Sequence, residues 1–329
     1  KVTFTSAWED YLEELRAGIS AKTKRPYSTR YIADHINLSS RGGESKKRGR
    51  GPTSAGPLAS LLDLPLSELT PENIAAWLST ERQNRPTVTA HAYRLLRAFI
   101  KWANYQKKYQ GIIDGDLAQD HNVRKMVPIS ASKAGDCLQK EQLKSWFSAV
   151  RSLNNPIASA YLQVLLLTGA RREEISSLRW SDIDFKWSSM RIKDKIEGER
   201  IIPLTPYVSD LLRSLMEIPN RGTNEENWVF RSNSKSGKII EPRSAHNRAL
   251  TRAELPHISL HGLRRSFGTL AEWVEVPTGI VAQIMGHKPS ALAEKHYRRR
   301  PLDLLRKWHE KVELWILEEA KIKNNVDKR

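Results

Sequence analysis

The apolar run at residues 157–167 restricts the fold of this chain more than any other segment. It contains no charged residue, follows the turn signal Asn155-Pro156 and ends shortly before Gly169. It is too short to cross a membrane, because a transmembrane helix needs about 20 apolar residues. An uncharged helix of this kind is typical of a domain interior, where it is covered on all sides. The run therefore predicts a buried helix inside a folded domain.

The sequence after this run predicts more helices and one pair of β-strands. Residues 190–193 and 200–204 have β character and bracket a Glu197-Gly198 turn, which predicts a hairpin with Lys195 near its tip. By itself, a lysine at a hairpin tip is usually just solvated. Apolar residues recur at helical spacing in the segments 143–150, 208–215 and 304–316. We expect a mainly α fold with a small antiparallel β-sheet.

The N-terminal part of the chain predicts a second, helical domain. Trp8, Tyr11 and Leu15 share one stripe of a helix, and another helix should begin at Pro71 after the capping residue Thr70. A chain of 329 residues is long enough for two domains with their own cores. We therefore expect a helical domain at residues 1–110, a polar linker at 111–137, a second domain at 138–317 and a flexible tail at 318–329.

Two groups of cations in the N-terminal part are candidates for contacts with a polyanion. Arg94, Arg97 and Lys101 lie along a long helical pattern, where they either face a groove of nucleic acid or only keep the helix soluble. Residues 39–56 are rich in Gly, Ser and Pro and predict a flexible basic loop, which is either a solvated excursion or, as we favour, a segment that follows phosphates. The cations of this loop are Arg41, Lys46, Lys47, Arg48 and Arg50.

The overall charge points to a polyanionic partner. Lys and Arg number 54 against 37 Asp and Glu, which gives a net charge of +17 and a pI near 9.9. Nucleic acid or an anionic membrane surface would neutralise this excess, and the lack of a long apolar run or signal peptide favours nucleic acid. The single cysteine, Cys137, cannot form an internal disulfide, which fits a reducing, intracellular compartment. Because the chain begins with Lys1, we expect a fragment or a processed product that lacks an upstream domain.

The stretch 257–300 holds the residues best suited to phosphoryl chemistry. His261, Arg264, His287 and Tyr297 lie within 37 residues of one another. Histidine exchanges protons near neutral pH, the planar guanidinium fits phosphate oxygens, and a tyrosine oxygen can attack phosphorus. Far upstream, Arg171 lies three residues before Glu174, close enough for that acid to hold the guanidinium. A metal site at His257 and His261 is a weak alternative, since no acidic ligand accompanies the pair.

Several separated motifs, in this order, resemble the catalytic domain of the tyrosine recombinases, the phage integrase family. They are TGARREEI, the hairpin lysine followed by ERIIPL, HGLRRSFGT, MGHKPS and HY, and the resemblance covers residues 138–317. The N-terminal part, with TPENIAAWLS and the helix after it, is similar to the SAM-like core-binding domain of the family. The loop at 39–56 looks like an insertion. The implied fold is a helical core-binding domain followed by an α+β catalytic domain.

The resemblance implies a role for each matching residue. Arg171 and Arg264 match the two arginines that clamp the scissile phosphate, with Glu174 as the acid that supports the first. Lys195 matches the lysine that protonates the departing 5′ oxygen, His261 the histidine that helps deprotonate the tyrosine, His287 a phosphate contact, and Tyr297 the nucleophile. Two features depart from the family pattern. Arg265 stands where many members have a second histidine, and the ten residues from His287 to Tyr297 are one more than is commonest, with His296 beside the tyrosine.

The implied function is site-specific DNA recombination through a 3′-phosphotyrosyl intermediate and a Holliday junction, without a metal or another cofactor. The implied partners are double-stranded attachment or recombination sites, a homo-tetramer on DNA, and accessory DNA-bending or directionality proteins, in the cytoplasm and nucleoid of a bacterial or phage-infected cell. A type IB topoisomerase and a non-catalytic DNA-binding protein of the same fold are the alternatives. The apolar stripe at 308–317 either packs on its own domain or docks on a neighbouring protomer.

Overall fold

The computed structural model describes residues 2–21, 24–46, 49–115, 117–129, 135–194, 198–219, 227–287 and 300–323. The chain forms two compact units, residues 1–132 and 133–329. Helices dominate both, and one small antiparallel sheet lies in the second, as predicted. None of the described helices is long and apolar enough to cross a membrane. Predictions for Lys47, Arg48, Lys195, His296 and Tyr297 fall outside the described residues.

The first unit contains five α-helices in its described part. Thr70 caps the third through a hydrogen bond from the Asn73 amide, and Pro71 takes its first position, which confirms the predicted helix start. Proline is tolerated there because its missing N–H would have no partner in the helix. The helices are α1 (Phe4–Ala17), α2 (Thr29–Ser39), α3 (Pro71–Asn84), α4 (Pro86–Tyr105) and α5 (His121–Met126).

The core of this unit forms where α1 meets α4. The predicted stripe is confirmed, because Trp8, Tyr11 and Leu15 are buried. The rings of Phe4 and Trp8 lie 5.0 and 5.2 Å from the ring of Phe99 on α4. Aromatic side chains of this size remove much apolar surface from water, so these contacts contribute strongly to the stability of the unit.

Part of the segment predicted as a linker belongs to the first core. Ile113, Leu117 and Val123 are buried, and α5 packs against α3. The first compact unit therefore extends beyond residue 110, the limit expected from the sequence. The segment is rich in polar residues, and its few apolar side chains are too irregularly spaced to show a helical period.

The basic loop is more regular than its composition suggests. The Gly43 amide donates to Thr53 O at 2.9 Å, the Thr53 amide to Glu44 O at 2.7 Å, and the Lys46 amide to Gly51 O at 3.2 Å. These bonds pair the two sides of the loop as in a hairpin, so the expectation of no regular structure is wrong for the described residues. At the base, the Gly56 amide donates to Ser40 O at 2.7 Å and ties the ends of the loop together.

The second unit surrounds the predicted buried helix. Every residue from Ala158 to Thr168 is buried, and the side chain of Asn155 caps the start of the helix. The helices of the described part are α6 (Leu143–Arg151), α7 (Pro156–Thr168), α8 (Arg172–Ser176), α9 (Pro206–Met216), α10 (Arg243–Arg252), α11 (Leu260–Ala271), α12 (Thr278–Met285) and α13 (Leu302–Glu319).

The predicted hairpin forms the larger part of a three-stranded sheet. Strands β1 (Ile183–Asp184), β2 (Ser189–Asp194) and β3 (Gly198–Pro203) are antiparallel and lie in that order. In the β2–β3 register, Met190 pairs with Ile202 and Ile192 with Arg200. The two-residue β1 is too short to produce a pattern in the sequence, and it was not predicted.

The last helix packs on its own unit. Leu305, Val312 and Ile316 of α13 are buried in the second core, which favours packing within the unit for these residues over docking on a neighbour. The predicted tail starts too early, because α13 ends at Glu319 and Ala320 is buried. On the same helix, the carboxylate of Glu313 accepts hydrogen bonds from the Thr205 hydroxyl and from the amides of Tyr207 and Val208 at the start of α9.

Candidate active site

Arg171 is presented by the tight turn between α7 and α8. Gly169 ends α7 with φ of 58°, and a Cβ atom there would lie 2.6 Å from the ring of Phe267. Only glycine satisfies both the left-handed backbone and this close approach. Arg171 is the N-cap residue of α8, so it lies at the start of the helix rather than on its face.

A buried carboxylate holds two arginines beside this turn. Glu174 Oε1 accepts a hydrogen bond from Arg171 Nη1 at 2.7 Å, and Oε2 accepts from Arg200 Nη2 at 2.8 Å. The predicted ion pair between Arg171 and Glu174 is thus confirmed. Burial opposes ionisation of Glu174, but the hydrogen bonds from Arg200 and Arg171 outweigh it and lower the pKa of the carboxyl. Glu174 is therefore charged at neutral pH.

Arg264 is fixed by main-chain carbonyls. It lies on α11 with only 5% of its surface exposed, and its Nη1 donates to Gly169 O and to Met285 O, both at 2.7 Å. Arg171 Nη2 donates to Gly286 O, the next carbonyl along the chain, at 2.8 Å. The two guanidiniums thus meet at the C-terminal end of α12, where the carbonyl ends of the helix dipole favour positive charge.

Two imidazoles lie next to these guanidiniums. Desolvation lowers the pKa of His261, and the positive charges of Arg265 and Arg264 lower it further. Desolvation, then Arg264 and Arg171, likewise lower the pKa of His287. Gly286 ends α12, and the His287 amide donates back to Ala282 O at 2.8 Å. Both rings are therefore neutral near pH 7, the form that can accept a proton.

Two cavities border the cluster, and His261 lines both of them. One has a volume of 790 Å³ and includes Arg171 and Lys193 in its walls. The other has a volume of 460 Å³ and includes Arg264 and His287. A polyanion entering either cavity meets the cluster of cations and neutral imidazoles described above.

The structure brings together five of the seven residues predicted for the site. Lys195 and Tyr297 are outside the described residues, and Lys193 of strand β2 lines the larger cavity. The roles assigned to all seven remain predictions. The five are Arg171, Glu174, His261, Arg264 and His287.

Sequence reasoning missed two residues next to this cluster. Arg200 shares a face of β3 with buried Ile202, and this alternation was a usable signal, because a buried arginine needs a partner. Arg200 also donates from Nε to Ile284 O at 3.1 Å. Asp136 binds Ser259 and Arg265, which lie more than 120 positions away in the sequence, and no local pattern predicts such a contact.

The cations proposed for DNA contact in the first unit differ in whether an acidic side chain already binds them. Arg94, Arg97 and Lys101 are exposed on α4, and Lys46 and Arg50 are exposed in the basic loop. Arg41 instead forms a two-pronged ion pair with Asp63, at 2.7 and 2.9 Å. Contact with DNA stays a prediction for all of them. Among the described residues, no group of His, Cys, Asp or Glu side chains is arranged to hold a metal ion.

Fold and site together define a DNA strand transferase of the tyrosine recombinase class. The phage integrase core-binding domain matches residues 3–125, and the phage integrase family matches residues 136–301. The chain belongs to the phage integrase family and is a site-specific recombinase that cleaves and rejoins DNA strands. The resemblance inferred from the sequence motifs is confirmed.

Similar proteins are integrases and recombinases. The chain is 89% identical over 331 residues to prophage integrase IntF of Escherichia coli (strain K12), an alignment that covers 100% of this chain and 71% of that protein. It is 25% identical over 296 residues to tyrosine recombinase XerC of Mycobacterium leprae (strain TN), covering 85% of this chain and 89% of that one. These relatives favour recombination over the topoisomerase alternative.

Solved structures share the fold at low sequence identity. A lambda integrase tetramer bound to a Holliday junction matches with a TM-score of 0.63 and 17% identity, covering 92% of this chain and 81% of that chain. The Tn1549 transposon integrase in complex with circular intermediate DNA matches with a TM-score of 0.62 and 14% identity, covering 93% and 99%. The predicted fold, a helical core-binding domain plus an α+β catalytic domain, is confirmed.

Proposed function

We propose that the chain exchanges DNA strands through Tyr297, with Arg171, Arg264 and His287 binding the scissile phosphate, His261 acting as base and Lys195 as acid. The observation that carries this proposal is the placement of Arg171 and Arg264 on neighbouring carbonyls at the end of α12, beside two neutral imidazoles. The proposal also uses the family pattern, which Lys195 and Tyr297 match in sequence.

The two held guanidiniums address the main barrier of the reaction. A phosphodiester is anionic and repels an incoming phenolate, and the transition state carries still more charge on its oxygens. Guanidiniums that are already oriented stabilise this charge without reorganising during the reaction. Glu174 keeps Arg171 in place. Because the same carboxylate also pairs with Arg200, its negative charge only partly offsets that of Arg171, and the pair of arginines keeps a net positive charge to attract the phosphate.

The proton transfers balance without an external cofactor. His261 takes the phenol proton of Tyr297 as the phenolate oxygen bonds to phosphorus, and the bond from phosphorus to the 5′ oxygen breaks. Lys195 gives a proton to that oxygen, which leaves as a hydroxyl. The 3′-phosphotyrosyl bond keeps the energy of the broken linkage, so a 5′ hydroxyl of another strand reverses the steps and reseals the DNA.

The proposal extends to partners and compartment. The substrates are two double-stranded recombination sites, bound by a homo-tetramer that passes through a Holliday junction. The lambda integrase tetramer on a Holliday junction supports this, since it shares the fold. The charge of +17 supports association with the bacterial nucleoid in the cytoplasm. Accessory DNA-bending or directionality proteins are a further part of the proposal.

Trapping on a nicked suicide substrate tests the proposed chemistry. The wild-type chain is expected to form a covalent 3′ adduct, because loss of the short nicked fragment prevents religation. Tyr297→Phe removes the attacking oxygen and should form none, while the matched control Tyr105→Phe, at a tyrosine that is 80% exposed in the first unit, should react normally. An adduct on Tyr297→Phe would refute the assignment of the nucleophile.

A further inference from the structure

A carboxylate at the start of the second unit is bound to the helix that carries His261 and Arg264. Asp136 Oδ1 accepts a hydrogen bond from the Ser259 amide at 2.7 Å, and Oδ2 accepts one from the Ser259 hydroxyl at 2.7 Å. Oδ2 also accepts from Arg265 Nη1 at 2.5 Å. The Asp136 side chain is only 9% exposed, so these charge-assisted bonds are largely shielded from water.

Ser259 connects Asp136 to the first turn of α11 through hydrogen bonds. It is the N-cap residue of the helix, and its Oγ accepts a hydrogen bond from the Gly262 amide at 2.9 Å while it donates to Asp136. The carboxylate lies directly against the turn, since a Cβ atom on Gly262 would be 2.4 Å from Asp136 Oδ1. A negative charge at this end of the helix also complements its dipole.

We propose that Asp136 is a positioning residue for strand cleavage, which sets the first turn of α11 and holds Arg265 so that His261 and Arg264 meet the scissile phosphate correctly. This inference rests on the proposed function of His261 and Arg264. It concerns residues that do not themselves touch the reacting atoms. It also gives a physical account of Arg265, the position at which the chain departs from the histidine of many family members.

Asp136 and Arg265 shift the pKa of His261 in opposite directions. Desolvation lowers the pKa of His261 most, then Arg265 and Arg264 lower it, Asp136 raises it and Arg171 lowers it. These are the charged groups that face the ring from α11, from the start of the unit and from the turn before α8. While Asp136 and Arg265 are bound to each other, their effects on the ring partly cancel. Removal of either charge leaves the effect of the other on the pKa of the ring without this opposing contribution.

Three variants separate positioning from a merely structural role. Asp136→Asn removes the negative charge, Arg265→Gln removes the positive charge, and the double variant removes both. Asp303→Asn is the matched control, because it alters an aspartate of the same unit that is 94% exposed and forms its ion pair with Arg306. Arg265 is 42% exposed, so Arg265→Gln is expected to fold even if Asp136→Asn does not.

The measurement is the single-turnover rate of adduct formation on saturating nicked substrate, between about pH 5.5 and 8.5, where a histidine base titrates. Near neutral pH, Asp136→Asn should lower the rate about 10- to 100-fold, as expected for a small displacement of catalytic groups. The acid limb of its profile should move to lower pH, and that of Arg265→Gln to higher pH. The double variant should return the limb towards the wild-type position.

Opposite displacements of the two limbs support the proposal. Profiles of both single variants that superimpose on the wild-type profile, or that move in the same direction, overturn it. If the wild-type chain itself forms no adduct, the proposed function has failed rather than this inference. Melting temperatures near neutral pH show whether each variant is folded, and Asp303→Asn should match the wild type in both rate and profile.

Discussion

The two units hold their cations in different ways. In the first, Arg94, Arg97 and Lys101 stand exposed on α4, and none of the ion pairs among the described residues involves them. In the second, Arg264 donates to two carbonyls at 2.7 Å and Arg171 to a carboxylate at 2.7 Å. An exposed cation can follow phosphates in many positions, whereas a held guanidinium suits one charge distribution. The first arrangement suits binding and the second suits catalysis, as proposed for these residues.

The largest expected effect comes from Arg264→Ala. Loss of a preorganised cation that stabilises the transition state should lower the cleavage rate about 100- to 1,000-fold or more. Affinity for the recombination site should change little, because many other cations of this basic chain remain available to the DNA backbone. Cleavage and binding are measured separately, on suicide substrate and by titration at fixed salt. The control Arg213→Ala removes an arginine that stacks on Phe185 in the same unit. It should leave both the cleavage rate and the DNA affinity unchanged.

An equal loss of affinity and rate in Arg264→Ala would erase the distinction between the two units. It would mean that this arginine serves general binding, as proposed for the cations of α4.

Glu174→Gln tests the network that holds Arg171 and Arg200. The change removes the negative charge of the buried ion pair with Arg200, and loss of one member of such a pair should destabilise the chain by about 3–5 kcal/mol near neutral pH. The folded pKa of Glu174 is below its unfolded value, so its contribution is present above the unfolded pKa, about 4.3, and is lost as pH falls through the folded pKa. Thermal melts from acid to neutral pH measure this dependence.

The stability difference between Glu174→Gln and the wild type should therefore shrink on acidification. A constant difference across this range would show that packing, and not charge, holds the turn before α8.

Alanine at Arg94, Arg97 or Lys101 should affect binding alone. Each substitution that removes a phosphate contact should reduce the salt dependence of the binding constant, by about one unit in the slope of log K against log salt. The cleavage rate at saturating DNA should be unchanged, because these side chains do not belong to the site of chemistry. An unaltered salt slope in all three variants would assign them to solubility only, the alternative left open by the sequence.

The smallest expected effect is that of Arg41→Gln. The guanidinium is already bound by Asp63 on the surface, so less of its charge is available to DNA than that of Arg94. The variant should bind DNA more strongly than Arg94→Ala does and should melt at the wild-type temperature. A weaker affinity than that of Arg94→Ala would place the base of the loop directly on the DNA.

Local patterns were enough to predict much of this molecule. The buried helix α7, the start of α3 and the β2–β3 hairpin follow from uncharged runs, a Thr-Pro cap and a turn between short β runs. The ion pair of Arg171 with Glu174 followed from spacing alone. The family motifs supplied the order and the roles of the site residues, which no local pattern could give.

What the sequence did not reveal depends on contacts between distant segments. The bonds of Asp136 to Ser259 and Arg265 join positions 123 and 129 residues apart, and those of Arg200 to Glu174 and Ile284 span 26 and 84. The limits of the first unit were misplaced for a related reason. In the described part of 111–126, Leu117 and Val123 are buried and α5 packs against α3, contacts that no helical period in the segment indicates.

The closed base of the basic loop has a consequence for how such chains can vary. Because the bond from the Gly56 amide to Ser40 O joins the two ends, the residues between them can change in number without moving α2 or the segment after the loop. Doubling the length of a loop costs only about 0.6 kcal/mol in closure entropy. The position is therefore one where evolution, or an engineer, can lengthen or shorten the loop beyond its tight base at Gly42 while the core-binding helices keep their places.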